Sequence, residues 1–545
     1  MTPPDAAMRE RWLKIAEASK PQLYRRVTLP LRAVEGASRP DPRQNWEMLD
    51  KGPARTVCDR TWRGGESFIL DFGVHTVGYI EFDLLSEGIA DAPVRLHLVF
   101  GEIAAEVCEA FDPYSGQMSR AWLQDEIVTV DVLPHRVALP RRYAFRYLKI
   151  TVASDSAAFS VRFGDFLCHS VSSANPASVE PLPAGVPEDL RAMDEVSLRT
   201  LANCMHTVFE DGPKRDRRLW IDLAICAPVN HTTFRQFDLT KRCLYLFAAT
   251  SSQEGIVPAC VFEVPQPHAG NDFILDYTAH FAVTLLEYAE TSGDWQTAND
   301  LWPLAWRQLE MLQSHLDERG LFADPGNWWI FVDWEPRLHK ETAMQGVILR
   351  GLQAAVTLAE KLHDPDRAAS LKPIIETMKK AAREFLFCRE KQVFVSGPDR
   401  QISWASEVWM VLGRVVEGKQ AAQLLRTVMA MPDAIKPVNP GLYHLTLEAL
   451  WMCGLEKEGI ELLRSYWGGM IARGATTFWE IHDPERPLLS PYGNHLVNSY
   501  CHTWGCSPAW FIRDLVRRDY WKGKSPHKLE GSFEGSHEIN TRKSS

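Results

Sequence analysis

The sequence lacks any long hydrophobic run. No uninterrupted apolar stretch in its 545 residues approaches the length of a membrane-spanning helix. The amino terminus carries charged residues throughout and has no apolar core of the kind found in secretory signals. We therefore expect a soluble protein located in the cytoplasm, with no membrane partner.

Paired cysteines and an excess of basic residues are also missing. The eleven cysteines are scattered singly without a CxxC pair, so the sequence predicts neither a disulfide framework nor a zinc site. Sixty Lys and Arg residues face seventy Asp and Glu residues, and this balance argues against a nucleic-acid partner. GxGxxG after a strand, GxxxxGK[ST], GxSxG and HExxH motifs are absent as well, and we expect no metal and no other cofactor.

Tryptophan, by contrast, is abundant. The chain has 19 tryptophans, several of them beside acidic residues, within a composition that is 45% hydrophobic. Most tryptophans belong to cores, but aromatic faces next to carboxylates are also suited to holding a sugar. Together with the charge balance, the sequence therefore favours a neutral or weakly charged ligand, with a carbohydrate among the candidates.

The first third of the chain reads as strands. Residues 67–72, 77–84, 94–100 and 147–152 are rich in β-branched and aromatic residues, and several alternate apolar with polar positions. Such strands without helices between them predict a jelly-roll-like antiparallel β-sandwich over residues 1–171. Four prolines in residues 172–187 predict a linker there.

After the linker the hydrophobic period changes to that of helices. Eleven segments between residues 188 and 519 have helical spacing, and no repeat of fixed length is legible. The fold class predicted is therefore a multidomain β plus all-α protein, with the β-sandwich followed by an (α/α)6 toroid over residues 188–520. A helical solenoid is the competing architecture. Residues 521–545 form a polar C-terminal tail.

Two segments present carboxylates in settings where chemistry is possible. Residues 211–220, Asp-Gly-Pro-Lys-Arg-Asp-Arg-Arg-Leu-Trp, place Asp211, Arg215 and Asp216 around a Gly-Pro break, although a solvated, self-paired charge run is the alternative. Residues 474–480, Gly-Ala-Thr-Thr-Phe-Trp-Glu, place Glu480 among residues that prefer burial. Burial raises the pKa of an unpaired carboxylate, so Glu480 is either a poised base or a structural hydrogen-bond acceptor.

A third segment combines tryptophans with an acid. In residues 327–335, Asn-Trp-Trp-Ile-Phe-Val-Asp-Trp-Glu, the side chains of Trp328, Trp329 and Trp334 are suited to line an apolar subsite with Asp333 as its hydrogen-bonding group. They are equally suited to a core. Isolated residues of the same polar or aromatic types carry less weight: Asp272, Asp276, Tyr277, His502 and Trp504.

Two carboxylates on separate loops, tryptophan platforms and an arginine are what the hydrolysis of a glycosidic bond requires. At these residues the sequence resembles the α-L-rhamnosidases of glycoside hydrolase family 78. Residues 211–220 are similar to the family motif Asp-Cys-Pro-x-Arg-(Asp)-Glu-Arg-Leu-Gly-Trp, and residues 475–480 match its Ala-Thr-Thr-x-Trp-Glu segment. The order of β domain, toroid, acid motif, second acid and a final His-x-Trp also agrees.

The resemblance implies an inverting exo-glycosidase that removes terminal α-L-rhamnose. In this interpretation Asp216 is the general acid and Glu480 the general base. The remaining implied residues bind the sugar: Asp211, Arg215, Asp276, Asp333, Trp334 and His502, with Asp222 as the displaced counterpart of a family aspartate. The partner is then a rhamnoside, and a homodimer is compatible with the sequence.

The sequence departs from the family pattern in three ways. Asp216 is one methylene shorter than the usual glutamate, no glycine follows Trp220, and no further β domain follows the toroid. The last difference implies a compact enzyme for small rhamnosides or disaccharides. Two alternatives stay open: another exo-glycosidase on the same toroid, for instance one specific for a uronic acid, or a carbohydrate-binding protein without catalysis.

Overall fold

The computed structural model describes residues 3–40, 45–88, 93–154, 159–215, 217–221 and 223–521. Two residues named above, Asp216 and Asp222, therefore lie outside the described residues, and so do residues 522–545 of the predicted tail.

Nine antiparallel strands make up the sheet of the first domain within the described residues. They are β1 (Tyr24–Thr28), β2 (Arg32–Ser38), β3 (Trp46–Pro53), β4 (Ser67–Gly88), β5 (Val94–Gly101), β6 (Gln124–Val130), β7 (His135–Ala138), β8 (Tyr143–Ser154) and β9 (Phe159–Ser172). The main path runs β1-β9-β4-β8-β5-β6, with β2 and β7 also paired to β4 and β3 paired to β2. Long β4 therefore joins most of the domain.

The alternation along β4 explains why these residues form a two-sided strand. Ile80, Phe82 and Leu84 are fully buried, whereas Glu81 and Asp83 between them are partly exposed. Successive side chains in a strand point to opposite faces, so this pattern turns one face into the core. Register shifts in β4, at residues 71–76 and 81–83, mark bulges that bend the sheet around that core.

Helices dominate the second domain. Within the described residues they are α3 (Glu188–Cys204), α4 (Leu223–Thr232), α5 (Phe237–Ala249), α6 (Leu275–Ser292), α7 (Trp295–Gln313), α8 (Glu341–Lys361), α9 (Pro365–Ala381), α10 (Trp404–Leu412), α11 (Gly418–Met429), α12 (Pro440–Met452), α13 (Glu456–Ala472) and α14 (Pro508–Arg517). The alternate helices α4, α6, α8, α10 and α12 pack one against the next as an inner layer. The predicted fold class, a β-sandwich followed by an (α/α)6 toroid, is confirmed.

Short strands connect some of the helices. Strands β10 (Leu219–Trp220), β11 (Cys260–Phe262) and β12 (His268–Ala269) form one small sheet, and β13 (Phe387–Cys388) pairs with β14 (Val393–Phe394). The first of these sheets carries Trp220, the last residue of the predicted acid motif.

Three helices differ from the prediction. Helix α4 was not predicted, because Pro228 lies inside it and proline removes a backbone donor and crowds the preceding turn. Among the eleven segments of helical spacing, the one at residues 230–248 forms helix α5 only from Phe237 onward. Helix α1 (Ala6–Ala18), at the start of the predicted β domain, packs against α5, and Trp12 Nε1 donates to Asp300 Oδ2 of α7 at 3.2 Å.

A shared apolar cluster joins the two domains. Its members come from the β domain, including the short helix α2 (Ala104–Cys108), and from the segment that precedes α14: Val34, Ile69, Val99, Ala105, Val107, Phe111, Leu123, Tyr147, Tyr492, Leu496 and Val497. Beside it, Lys214 is buried, with Nζ 3.1 Å from Glu102 Oε2 and 2.6 Å from Glu106 Oε1. Apolar and ionic contacts therefore fix the β domain against the loop of the predicted acid motif.

All eleven cysteines lie in described residues and are free thiols, seven of them buried. Among the helices that the structure describes, none is both long and apolar enough to cross a bilayer. The cytoplasmic location and the homodimer stay predictions.

Candidate active site

One pocket of about 240 Å³ collects six of the predicted site residues. It is lined by Met118, Asp211, Arg215, Arg218, Trp220, Asp272, Ile274, Tyr277, Trp329, Phe331, Trp334, Glu480, Tyr492, His502 and Trp504. The predicted residues among these are Asp211, Arg215, Trp329, Trp334, Glu480 and His502. They come from four separate stretches of the chain, so the fold brings together what the sequence keeps apart.

Glu480 supplies a buried carboxylate to this pocket. Its Oε2 accepts hydrogen bonds from Arg215 Nη2 at 2.5 Å and from the Ser499 backbone amide at 3.0 Å. Its Oε1 accepts one from the hydroxyl of Tyr492 at 2.5 Å. Both carboxylate oxygens are therefore held by named donors, which fixes the plane of the group.

The environment of Glu480 keeps it ionised. Burial alone raises the pKa of a carboxyl, but the charges of Arg215 and His502 and the hydrogen bonds from Tyr492 and Ser499 outweigh burial, so that the pKa of Glu480 is lowered. A carboxylate that is ionised at neutral pH is equipped to accept a proton and not to deliver one.

The backbone around Glu480 explains its placement. Its amide donates to Ser499 O at 2.9 Å, and its carbonyl oxygen accepts from Trp504 Nε1 at 3.0 Å. Phe478 and Trp479 are buried on the preceding positions. The buried apolar residues of this segment thus anchor it. Its backbone hydrogen bonds to Ser499 and Trp504, in the final loop (residues 490–507), direct the carboxylate into the pocket.

The acid-motif loop lies against the same final loop. Asp211, Lys214 and Arg215 are all buried, so the alternative of a solvated charge run is wrong. Arg215 Nε donates to Val497 O at 3.1 Å. A Cβ at Gly212 would stand 2.3 Å from Ser499 Oγ, so in this chain glycine, where the family motif has cysteine, lets the two loops touch.

A histidine and aromatic rings complete the walls. His502 Nε2 lies 3.1 Å from Asp211 Oδ1, and the imidazole stacks on Trp504 with ring centroids 4.2 Å apart. Trp334 meets Tyr492 edge to face at 5.5 Å, and Trp329 is 40% exposed where the pocket meets solvent. Apolar walls with a few convergent polar groups are what a site for a small polar ligand requires.

Three predicted site residues are described but do not line the pocket: Asp276, Trp328 and Asp333. Asp276 accepts hydrogen bonds from the amides of Phe331 at 2.8 Å and Val332 at 3.0 Å, and burial raises its pKa. Val332 has φ of 54°, a strained value for a β-branched residue, so Asp276 holds a strained turn beneath the pocket wall.

Asp333 has a similar position in the wall. It accepts from the Glu335 amide at 2.7 Å and from Asn439 Nδ2 at 2.9 Å, and burial raises its pKa to about 7. Trp328 faces His315, with ring centroids 6.4 Å apart. These residues shape the segment that presents Trp329 and Trp334.

Tyr492 and Met118 were not found by sequence reasoning. Tyr492 belongs to a segment without regular structure, and Met118 comes from the β domain. Met118 reaches the pocket across the contact between the domains, and Tyr492 reaches Glu480 from an irregular segment of the second domain, and neither placement follows a local sequence pattern. Trp220 could have been predicted as a lining residue, because it is the last residue of the acid motif.

Comparison with family models matches both domains. Residues 30–170 match the glycosyl hydrolase family 78 alpha-rhamnosidase N-terminal domain, and residues 187–516 match the bacterial alpha-L-rhamnosidase 6 hairpin glycosidase domain. The chain belongs to glycoside hydrolase family 78. This α-L-rhamnosidase is thus an enzyme, as the resemblance implied, and the interpretation as a protein without catalysis is set aside.

Solved structures agree with this assignment. The chain is similar to the Klebsiella oxytoca rhamnosidase with rhamnose bound, at 42% identity over 93% of this chain and 99% of that chain, with a TM-score of 0.90. The family 78 rhamnosidase of Bacillus sp. GL1 follows at 21% identity, with coverages of 86% and 49% and a TM-score of 0.73.

A third solved structure, from Streptomyces avermitilis, is an α-L-rhamnosidase complexed with L-rhamnose. Its identity is 16%, with 90% of this chain and 44% of that chain covered and a TM-score of 0.62. The α-L-rhamnosidase described here thus spans about half the length of these two more distant relatives. No curated protein matches the chain.

Proposed function

We propose that this α-L-rhamnosidase removes a terminal, non-reducing α-L-rhamnose with inversion at the anomeric carbon, with Glu480 as general base and Asp216 as general acid. The observation that carries the proposal is the ionised, doubly held carboxylate of Glu480 in the pocket wall. In an inverting enzyme this carboxylate takes a proton from water while an acid on the opposite side protonates the leaving oxygen.

The size of the pocket supports action on a single terminal sugar. Its volume of about 240 Å³ lies below the roughly 300 to 1,000 Å³ of sites for drug-sized ligands. Two similar proteins, from Klebsiella oxytoca and Streptomyces avermitilis, were solved with rhamnose bound. We therefore propose small rhamnosides or rhamnose-capped oligosaccharides as substrates, with the aglycone at the solvent side near Trp329.

The lining residues divide into polar and apolar partners for the sugar. Asp211, Arg215 and His502 are proposed to bind ring hydroxyls, and Trp329 and Trp334 to pack against the apolar face and the C6 methyl group. Asp276 and Asp333 support this subsite indirectly, through the loop that their carboxylates hold. The role of Asp216 rests on its place in the family motif, directly after Arg215, and Asp222 stays a prediction on the same ground.

The charge of the described lining argues against a uronic acid as substrate. Three carboxylates, from Asp211, Asp272 and Glu480, face two guanidinium groups, from Arg215 and Arg218. Since Arg215 is paired with Glu480, an anionic sugar would enter a pocket without excess positive charge. A neutral deoxy sugar avoids this repulsion.

Turnover of p-nitrophenyl α-L-rhamnoside tests the proposal. Glu480→Gln and Asp216→Asn should each lower kcat by about 10² to 10⁴, the range of general acid–base catalysis. Glu485→Gln, an exposed carboxylate in the same segment, is the matched control and should keep wild-type turnover. Proton NMR of the first-formed sugar should show the β-anomer. An α-anomer first, or full activity in either site variant, would contradict the mechanism.

A further inference from the structure

We propose that Tyr492 is a positioning residue for the general base, and that the β domain holds Tyr492 in place. The inference rests on the proposed role of Glu480 and adds to it the component that orients the carboxylate. It also assigns the β domain a part in the chemistry.

The contacts of Tyr492 point directly at the base. Its hydroxyl donates to Glu480 Oε1, while Arg215 binds the other oxygen, so the two donors together stop rotation of the carboxylate. The guanidinium carbon of Arg215 lies 4.5 Å from the centre of the Tyr492 ring. The three side chains therefore form one buried unit, in which loss of the hydroxyl frees one carboxylate oxygen.

The β domain reaches this unit through the backbone. Residues 111–122 connect α2 with β6 within the β domain. In this segment the amide of Gln117 donates to the carbonyl oxygen of Tyr492 at 2.7 Å. Gly493, with φ of 76°, follows Tyr492 and passes close to Gln117. The 490–498 segment has little regular structure of its own, only the turn His495–Val497, so contacts such as this one fix where its backbone runs.

A buried ionic cluster at the contact between the two domains holds the same segment from its other end. Lys214 Nζ donates to Asn498 O at 2.6 Å and to Leu496 O at 3.3 Å, and it is itself paired with Glu102 and Glu106. Glu102 Oε2 also accepts the amide of Tyr500 at 2.8 Å. Tyr492 is thus fixed between a backbone contact from the β domain and an ionic cluster that joins Lys214 of the acid-motif loop to Glu102 and Glu106 of the β domain.

Orientation and ionisation of the base are linked in this arrangement. The charged and titratable groups that face Glu480 in the described residues are Arg215, Tyr492 and His502, with Asp211 beside His502. Removal of the Tyr492 hydroxyl takes away a donor to the ionised form, so the pKa of Glu480 rises. The acidic limb of the kcat/KM profile then moves to higher pH.

Tyr492→Phe is the decisive variant. We expect kcat to fall about 10- to 100-fold, the equivalent of one hydrogen bond to a charged group, with the acidic limb shifted upward and KM nearly unchanged. Tyr114→Phe is the matched control, because Tyr114 lies in the same β-domain segment and its hydroxyl has no hydrogen-bond partner in the described part of the chain. It should leave the pH profile in place.

A second pair of variants tests the role of the β domain. Gln117→Pro removes the amide that binds the Tyr492 carbonyl, whereas Gln117→Ala keeps it and changes only an exposed side chain. The proline variant should reproduce the shifted profile of Tyr492→Phe, and the alanine variant should behave as wild type. If the proline variant does not fold, Tyr492→Phe alone decides.

The positioning role of Tyr492 and the proposed function can be overturned separately. A wild-type pH profile and kcat in Tyr492→Phe, with Glu480→Gln inactive, would overturn the positioning role and leave the proposed function intact. An active Glu480→Gln variant would overturn the proposed function itself. A loss of folding in Tyr492→Phe, seen by circular dichroism, would mean that the tyrosine is structural and would also overturn the positioning role.

Discussion

Arg215 Nη2 and Glu480 Oε2 lie 2.5 Å apart although 265 residues separate them in the sequence. Both side chains are only 2% exposed. Burying two charges is costly, and their attraction offsets that cost only when further hydrogen bonds satisfy both groups. Val497 and Ser499 supply these bonds. The pair therefore orders the pocket more than it stabilises the fold.

Arg215→Met should abolish turnover and destabilise the protein by about 3 to 5 kcal/mol, because it leaves the Glu480 carboxylate buried and unpaired. Urea unfolding measures the loss. The double variant Arg215→Met/Glu480→Gln should regain most of the stability without regaining activity, since no charge is then stranded. Equal stability of the single and double variants would show that the ion pair is not the reason.

Lys214→Met tests the ionic contact between the domains. It leaves the buried Glu106 without its cation and Glu102 paired with His75, so we expect a loss of about 3 to 5 kcal/mol in the free energy of unfolding and a fall in kcat as the adjoining loop shifts. Lys241→Met, at a half-buried pair with Asp294, is the control and should cost about 1 kcal/mol or less.

Glu210 predicts a pH dependence of stability. Burial raises its pKa, but Arg142 and His206 outweigh burial and lower the pKa to about 2, from 4.5 in the unfolded chain. A depressed carboxyl pKa contributes stability that is complete above the unfolded pKa and is lost as pH falls through the folded one. This contribution, about 3 kcal/mol at neutral pH, should therefore fade between pH 4.5 and about 2.

Comparison of wild type with Glu210→Gln by urea unfolding checks this expectation. The difference between the two should be large at pH 7 and shrink as the pH approaches 3. Glu188→Gln, at a carboxylate that is 93% exposed, should show no such difference. A gap for Glu210→Gln that stays constant with pH would contradict the assignment to its ionisation.

Trp329 and Trp328 are neighbours with different predicted effects. Trp329→Ala should raise KM for aryl rhamnosides several-fold, since a lost aromatic contact is worth about 0.5 to 1.5 kcal/mol, and should change stability little because the ring is 40% exposed. Trp328→Ala should leave KM in place, because Trp328 does not line the pocket. An equal rise of KM in both would support the sequence-based placement of Trp328 in the subsite.

Periodicity was sufficient to predict the architecture. The alternation of Ile80 to Leu84 and the helical spacing after residue 188 both follow from burial of one face, which is a local property of the chain. Helix α4 was not predicted, because Pro228 disfavours a helix locally and only packing in the folded protein overrides that preference. The residues of helix α1 were assigned to the β domain, because the sequence does not show which neighbour a helix packs against.

The site was predictable where its residues lie in motifs and unpredictable where they meet by packing. Glu480 and Arg215 stand in conspicuous segments, and they line the pocket. Asp276 and Asp333 are of a residue type that often binds ligands. Their carboxylates instead accept hydrogen bonds from backbone amides, which only the fold shows. Tyr492 has no sequence signal, since its contact with Glu480 arises only when an irregular segment folds against the β domain.

Helix α1 has a mechanical consequence. The chain begins against the helical body, crosses into the sheet, and returns along residues 172–187. The sheet is therefore connected to the helical domain at both of its ends, and between them the shared apolar cluster packs the two domains together. A protease cut within residues 172–187 would leave a nicked enzyme whose two fragments stay together and keep working, whereas either fragment made alone would lack part of the catalytic wall.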